Sequence, residues 1–293
     1  MLDMNYRKVK QVLAIILLAN LAVAALKISL GILIKSTSMT ADGFHSLTDG
    51  SSNIAGLIGI QYASKPIDEE HPYGHKKFEM LAGLFIALML FVIFGKIIFE
   101  AILRLVQPVR PEVSMDKVLL LLVSLGINIF VCLYEYRQGK KLGSQILISD
   151  SMHTRSDIYV SIGVLVTLIG IYYGLPTIID PIASFVVGGF ILHAAIEIFR
   201  DNSGILLDKA MVDKEEIKSI ALSFDQVKDI HNIRSRGTKN DLYIDMHIMT
   251  EPDMSVEKSH ELTHDIEDKI RESIHKNVQI IAHIEPYEEN EDL

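Results

Sequence analysis

Two short runs in the chain carry the same metal-binding side chains at the same spacing. Asp42, His45 and Asp49 read D-x2-H-x3-D, and Asp150, His153 and Asp157 repeat the pattern 108 residues later, from 45 to 153. On a helix, positions i, i+3 and i+7 share one face, so each run presents carboxylate, imidazole and carboxylate as one stripe. Both runs open stretches that become apolar enough to enter a membrane, where an ionisable group costs at least a few kcal/mol. A bound divalent cation offsets that cost. Two imidazoles and two carboxylates form a tetrahedral N2O2 shell, which suits Zn²⁺ and accepts Fe²⁺, Co²⁺ or Cd²⁺. Copper(I) prefers sulfur ligands, which these positions lack. Interhelical hydrogen bonding, or pairing with Lys27, Lys96 or Arg155, is the packing alternative, and it does not explain the duplicated spacing.

Further histidines fall in groups. Asp68, His71 and His75 sit in a polar segment between apolar stretches, where they read either as a metal-binding loop or as a solvated one. The C-terminal part holds six of the eleven histidines. On strand periodicity His247 shares a polar face with Tyr243 and Asp245, opposite Leu242, Ile244, Met246 and Ile248. His283 and Glu285 share the polar face of a later strand, and His231 lies on an earlier one, so strands or subunits meeting there would gather a metal site. His260-Glu261-Leu262-Thr263-His264 matches the H-E-x-x-H zinc protease pattern. Its neighbours Glu257, Lys258, Asp265, Glu267 and Asp268 describe a solvent-facing helix instead, in a tail too small for a catalytic cleft.

The elements that must position these groups follow from charge and hydropathy. The chain has 293 residues, 49 % of them hydrophobic, and a net charge of −9. Residues 208–293 hold 21 acidic and 11 basic residues, net −10, which leaves 16 and 17, net +1, for residues 1–207. A near-neutral apolar part is therefore joined to an acidic tail, and the domains are expected at 1–207 and 208–293. No basic stripe of the size a nucleic-acid binder needs is present. The single cysteine, Cys132, excludes a disulfide framework. Apolar stretches at 12–34, 80–105, 118–133 and 181–198 have the character of membrane spans. With 38–63 and 146–174, which carry the two metal runs, the count is six transmembrane helices. Placing the N-terminus inside leaves nine Lys and Arg in the inner segments and four in the outer loops, so both termini are expected in the cytoplasm. The tail reads as a helix at 213–224, strands at 227–234 and 241–249, a helix from Ser255 to 274 and a strand at 279–285. That order predicts an α+β, ferredoxin-like or metallochaperone-like domain.

With these residues in view, the chain resembles the cation diffusion facilitator family over nearly its whole length. HSLTD at 45–49 and HTRSD at 153–157 look like the family's paired transport-site motifs, HPYGH at 71–75 like its loop before the third span, and LLD at 206–208 like its junction with the tail. The resemblance implies a homodimer in the cell membrane that exports divalent metal from the cytoplasm in exchange for protons, and no enzyme. It implies a transport site of His45, Asp49, His153 and Asp157; Asp42 and Asp150 match family positions too, and we read them as groups that orient the histidines. A second site would be Asp68, His71 and His75, and His231, His247, His260, His283 and Glu285 would bind metal in the tail and help hold the dimer. Glu stands at 285 where some relatives have Asp. Histidine in both halves points to zinc, with cadmium, iron or cobalt as further cargo; manganese-preferring members tend to carry a carboxylate or amide there. The alternatives are a manganese- or iron-preferring carrier of the same family, a passive cation channel, and a membrane metalloprotease built on His260, Glu261 and His264.

Overall fold

The apolar stretches form six long helices in the computed structural model: α1 (Leu2–Leu33), α2 (Thr37–Ala63), α3 (Lys77–Val106), α4 (Met115–Leu142), α5 (Gln145–Tyr172) and α6 (Ile179–Leu206). The structure describes residues 2–33, 37–107, 115–176, 178–238, 241–274 and 277–288, without the helical side chains at 2–5, 26–27, 30–33, 37–49, 115–117, 120, 168, 171–172 and 180. Three segments are long and apolar enough to cross a membrane among the described residues: Tyr6–Ala25, Lys77–Val106 and Pro181–Leu206. The chain divides into two compact units, Met1–Ser203 and Gly204–Leu293.

Two helices outrun the apolar stretches that announce them. α1 begins well before residue 12, because its first turns still have a face to bury: Val9 is in the core and Lys10 Nζ donates to Gln61 Oε1 (2.7 Å) and Ser64 Oγ (2.9 Å) on the segment closing α2. α4 continues past residue 133 to Leu142 and stops at Gly143, whose φ of 64° is the left-handed conformation that ends helices and suits glycine.

Inside the helical unit Leu13, Ile16, Ile60, Ile86, Leu90, Ile146, Ile191 and Ile198 form one buried cluster. Leu18, Val92, Phe99, Phe130 and Phe190 point outward and are half or more exposed, an apolar exterior suited to lipid. Between lipid-embedded helices apolar burial gives little driving force, so close backbone approach and interhelical hydrogen bonds carry the association. Gly59 provides such an approach: a Cβ there would collide with the Ala82 methyl of α3.

The second unit follows the expected order, with α7 (Lys214–Ala221), β1 (Asp229–Gly237), β2 (Asp241–Thr250), α8 (Val256–Ile274) and β3 (Asn277–Pro286). Asp213 caps α7 by accepting from Glu215 N (3.0 Å), and Ser255 Oγ accepts from Lys258 N (3.3 Å) at the start of α8. The sheet runs β1-β2-β3, antiparallel between β1 and β2 and parallel between β2 and β3, with α8 as the crossover. Leu242, Ile244, Met246 and Ile248 are buried against Leu262, Ile266 and Ile270 of α8 and Ile217 of α7. β1 extends past the expected end at 234 because a bulge between His231 and Arg234, with Asn232 at φ 51°, breaks its two-residue period.

Candidate metal sites

α5 brings the second metal run into the helical core. His153 is 2 % exposed, and neither ring nitrogen finds a hydrogen-bond partner among the described residues. A neutral imidazole buried this way leaves a donor and an acceptor unmet, a cost of about 1–3 kcal/mol each. Asp157 follows one turn later, half-buried. Asp150, one turn earlier, is fully buried and accepts from Asn53 Nδ2 of α2, whose Oδ1 in turn accepts from Asn20 Nδ2 of α1 (2.9 Å). On α4, fully buried Glu135 accepts from Thr154 Oγ1 (3.2 Å). A polar network thus crosses α1, α2, α4 and α5. Asp42, His45 and Asp49 of the first run lie on α2 but outside the residues whose side chains are described.

The register of α2 on α5 is nevertheless fixed by the turns that follow. Asn53 meets Asp150, while Gly56 and Gly59 lie against Ile146. Partner numbers fall on α5 as they rise on α2, so the two helices run antiparallel.

α5 is held at its start by a side chain from another helix. Glu79, in the first turn of α3 and buried, accepts from Ser144 Oγ (2.5 Å) and from the Ile146 N–H (3.1 Å). It therefore acts as a cap in trans, satisfying backbone donors that a helix N-terminus leaves open.

The loop between α2 and α3 assembles Asp68, His71 and His75. His71 to Gly74 is a β-turn closed by Gly74 N to His71 O (2.9 Å), with Pro72 at its second position and Gly74 at φ 83°. The reversal returns His75 beneath Asp68, which touches both rings: His71 Nδ1 lies 3.0 Å from Oδ1, and His75 Nε2 lies 3.2 Å from Oδ2. The His71 backbone N–H also donates to Oδ1 (2.7 Å). One ligand atom from each residue fits within 4.8 Å, and the His75 ring is buried while Asp68 is half exposed. Desolvation beside the rings raises the Asp68 carboxyl, but hydrogen bonds from the His71 side chain and backbone, together with the charge of both rings, outweigh it and hold the group below its ordinary value.

In the tail, cross-strand register collects the predicted histidines. His231 stands opposite His247, and His247 beside His283. Glu285, two residues after His283 on β3, reaches all three: His247 Nδ1 at 2.7 Å, His231 Nε2 at 3.3 Å and His283 Nε2 at 3.6 Å. His231, His247 and Glu285 offer ligand atoms within 4.8 Å, with the His283 ring tilted against His247, 5.0 Å between their centres. His260 stands apart from this cluster. α8 buries Leu262, Ile266 and Ile270 and leaves His260, Glu261 and His264 exposed, the two rings 4.6 Å apart, so the H-E-x-x-H pattern is a solvent-facing helix surface.

Sequence reasoning missed Glu79, Glu135, Asn53 and Thr154. Glu135 lies two residues past the apolar stretch ending at 133, where a hydropathy window closes. Its only signal is a carboxylate one turn after the buried Cys132. Glu79 acts on a helix 65 residues away, and no local pattern reports that.

Comparison with known proteins adds two matches that together span most of the chain. Residues 13–207 match the family described as the cation efflux transmembrane domain, and residues 211–287 match the one described as the cation efflux protein cytoplasmic domain. An uncharacterized transporter of Methanocaldococcus jannaschii is 33 % identical over 285 residues, covering 95 % of this chain and 99 % of that one. The manganese efflux system protein MneP of Bacillus subtilis is 30 % identical over 287 residues, covering 95 % and 96 %. Metal tolerance protein C1 of Arabidopsis thaliana is 31 % identical over 287 residues, covering 92 % of this chain and 61 % of that one.

Proposed function

The chain belongs to the cation diffusion facilitator family of cation efflux transporters, a helical transmembrane domain followed by a cytoplasmic dimerisation domain, and from that premise we propose that it is a homodimeric carrier exporting Zn²⁺ from the cytoplasm in exchange for protons. The transport site is His45, Asp49, His153 and Asp157, on six membrane spans with both termini in the cytoplasm. The observation that carries this reading is the antiparallel register of α2 on α5. Carried one and two turns beyond Asn53, it brings positions 49 and 45 level with positions 153 and 157. Among the described residues the His153 nitrogens have no partner, and this adds the chemical motive, since a cation at that level would give the buried imidazole one.

Alternating access follows from the placement of this site within the helical bundle. Protons and metal compete for the same imidazole nitrogens, so an acidic exterior drives metal off and a neutral cytoplasm lets it bind. Asp68, His71 and His75 form a second metal site in the cytoplasmic loop. His231, His247 and Glu285, with His283, form a third in the tail. A metal-ligating role for His260 requires a second copy of the chain. The tail's net charge of −10 attracts divalent cations, and bound metal offsets the repulsion between two acidic tails.

The test is zinc flux into proteoliposomes under a pH gradient. Asp157→Ala is expected to abolish flux in protein that still folds, and persistent flux refutes the site. Flux that ignores the pH gradient indicates a channel rather than an exchanger. A second reading, manganese as cargo, is favoured by the similarity to MneP and to a second Bacillus subtilis manganese efflux protein, MneS, at 30 % and 28 % identity. Competition among Zn²⁺, Cd²⁺, Fe²⁺ and Mn²⁺ in the same vesicles separates the two.

A further inference from the structure

Beside the proposed transport site, two buried carboxyl groups face each other with too few donors between them. Glu135 on α4 and Asp150 on α5 are each 0 % exposed. Each has one oxygen with a donor: Glu135 Oε2 accepts from Thr154 Oγ1 (3.2 Å), and Asp150 Oδ2 accepts from Asn53 Nδ2. The other oxygens, Glu135 Oε1 and Asp150 Oδ1, are buried and find no donor among the described residues. The Thr154 hydroxyl bridges the two residues, 3.2 Å from Glu135 Oε2 and 3.2 Å from the Asp150 carbonyl oxygen, and the two carboxyl groups act directly on each other.

Among the described residues, the direct partners of the two carboxyl groups include no cation. The groups acting most strongly on Glu135 are Asp150, Thr154 and Cys132, and none is a cation. The Cys132 thiol, one turn before Glu135, donates to Ser151 O (3.3 Å). Arg155 lies beside Cys132 and over the Tyr136 ring, 5.7 Å from its centre, and Asp157 acts on Cys132 as well. Among the described side chains of α2 and α1, Asn53 donates to Asp150 and Asn20 donates in turn to Asn53, both neutral amides. Two ionised carboxylates so placed in a dry site repel each other strongly, and the arrangement that satisfies both unpaired oxygens is a single proton held between them.

We propose that Glu135 and Asp150 share one proton in the metal-free carrier and release it when the divalent ion binds at His153 and Asp157. This rests on the transport site proposed above. Asp150 precedes His153 by three residues on the same helical face, and Thr154, which donates to Glu135, adjoins His153 in the chain. The ion brings two positive charges one turn away, and the pair passes from a charge of −1 to −2 as its proton leaves. When the metal departs on the other side, a proton from that side restores the pair. Glu135 and Asp150 are then proton carriers, distinct from the metal ligands.

The test counts protons released as Zn²⁺ binds the full-length protein in detergent, by calorimetry at neutral pH in two buffers of different ionisation enthalpy. Asp68→Ala and Glu285→Ala are built into the parent to silence the loop and tail sites. Glu135→Gln is expected to release about one proton fewer per zinc than the parent. Asp150→Asn must show the same deficit, since either carboxyl alone has no partner with which to share. An unchanged count in either variant overturns the proposal. Asp157→Ala in the same background tests the underlying site: zinc binding retained at the parent's affinity refutes that site, whatever the Glu135 variant shows.

Discussion

Glu79→Ala tests whether the helix bearing the second metal run is positioned by a side chain from α3. In the native protein the Glu79 carboxyl accepts from Ser144 Oγ at 2.5 Å and from the Ile146 N–H at 3.1 Å, both buried. Alanine removes the acceptor and leaves two donors unsatisfied. An orphaned buried donor costs about 1–3 kcal/mol, and a lost helix cap about 1 kcal/mol in ordinary settings. The Ser144 hydroxyl can turn to another acceptor but the backbone N–H cannot, so the expected loss is about 3 kcal/mol. Glu79→Gln keeps an acceptor oxygen in the same place and should cost about 1 kcal/mol. The assay is reversible unfolding of the full chain in mixed micelles by titration with a denaturing detergent, followed by circular dichroism. Zinc flux is measured in parallel, because the first turn of α5 leads directly to Asp150 and His153 and its fraying displaces both. Flux should fall in the order native, Gln, Ala. Unfolding of Glu79→Ala within about 0.5 kcal/mol of the native protein, the range of an ordinary surface substitution, or a Gln variant as damaging as Ala, would refute a capping role for Glu79.

Three further outcomes are expected. The carboxyl of Asp68 has a folded value below its unfolded one, so its contacts with His71 and His75 contribute above the ordinary carboxylate range and are lost only as the pH falls below it. On acidification Asp68 should therefore stay ionised, and able to hold zinc, to below the ordinary carboxylate range, which a calorimetric pH series in a Glu285→Ala background reads directly. Glu285→Ala should weaken zinc binding at the tail roughly 10–100-fold or more, since it removes the carboxylate that joins His231 to His247, and equilibrium dialysis checks it. Glu261→Ala should leave zinc flux at the native level, and peptidase activity in the native chain that this variant loses would restore the protease reading.

How far the fold was legible depended on whether a residue's partners were local. On β2 the alternation of Leu242, Ile244, Met246 and Ile248 with Tyr243, Asp245 and His247 predicts the buried and half-buried faces observed. The same rule places His283 and Glu285 together on β3. The alignment of His231 with His247 was not legible, because the bulge at 231–234 shifts β1 by a residue and only the positive φ of Asn232 marks it. The loop site was legible as residue types at a spacing, and the turn through Pro72 and Gly74 explains why that spacing closes on one carboxylate. Groups that act between helices left no such trace. Asn20 stood out as a polar residue in an apolar span, but its link through Asn53 to Asp150 exists only once α1, α2 and α5 pack. His260 shows the opposite case: its residue type suggested membership of the tail cluster, and the amphipathic pattern of α8 turns it to solvent.

The loop and tail clusters share a device that His153 lacks among the described residues. Asp68 holds one imidazole on each oxygen, and Glu285 does the same for His247 and His231. In both places a carboxylate fixes two rings at ligand distance, so a cation binding there would meet groups whose rotamer entropy is already lost. Preorganisation of that kind raises affinity chiefly by lowering the cost of binding, and it slows release. It suits a site that senses or retains metal. A site whose cargo must leave on the other side of the membrane has the opposite requirement. Among the described residues the buried His153 ring has no partner for either nitrogen, so it would gain on binding and lose on release by comparable amounts. Metal held at the loop or tail should therefore exchange more slowly than metal at the transport site. If zinc bound to the Asp157→Ala protein exchanges as fast as zinc bound in a chain lacking Asp68 and Glu285, the carboxylate-bridged clusters are not the retaining sites that their geometry implies.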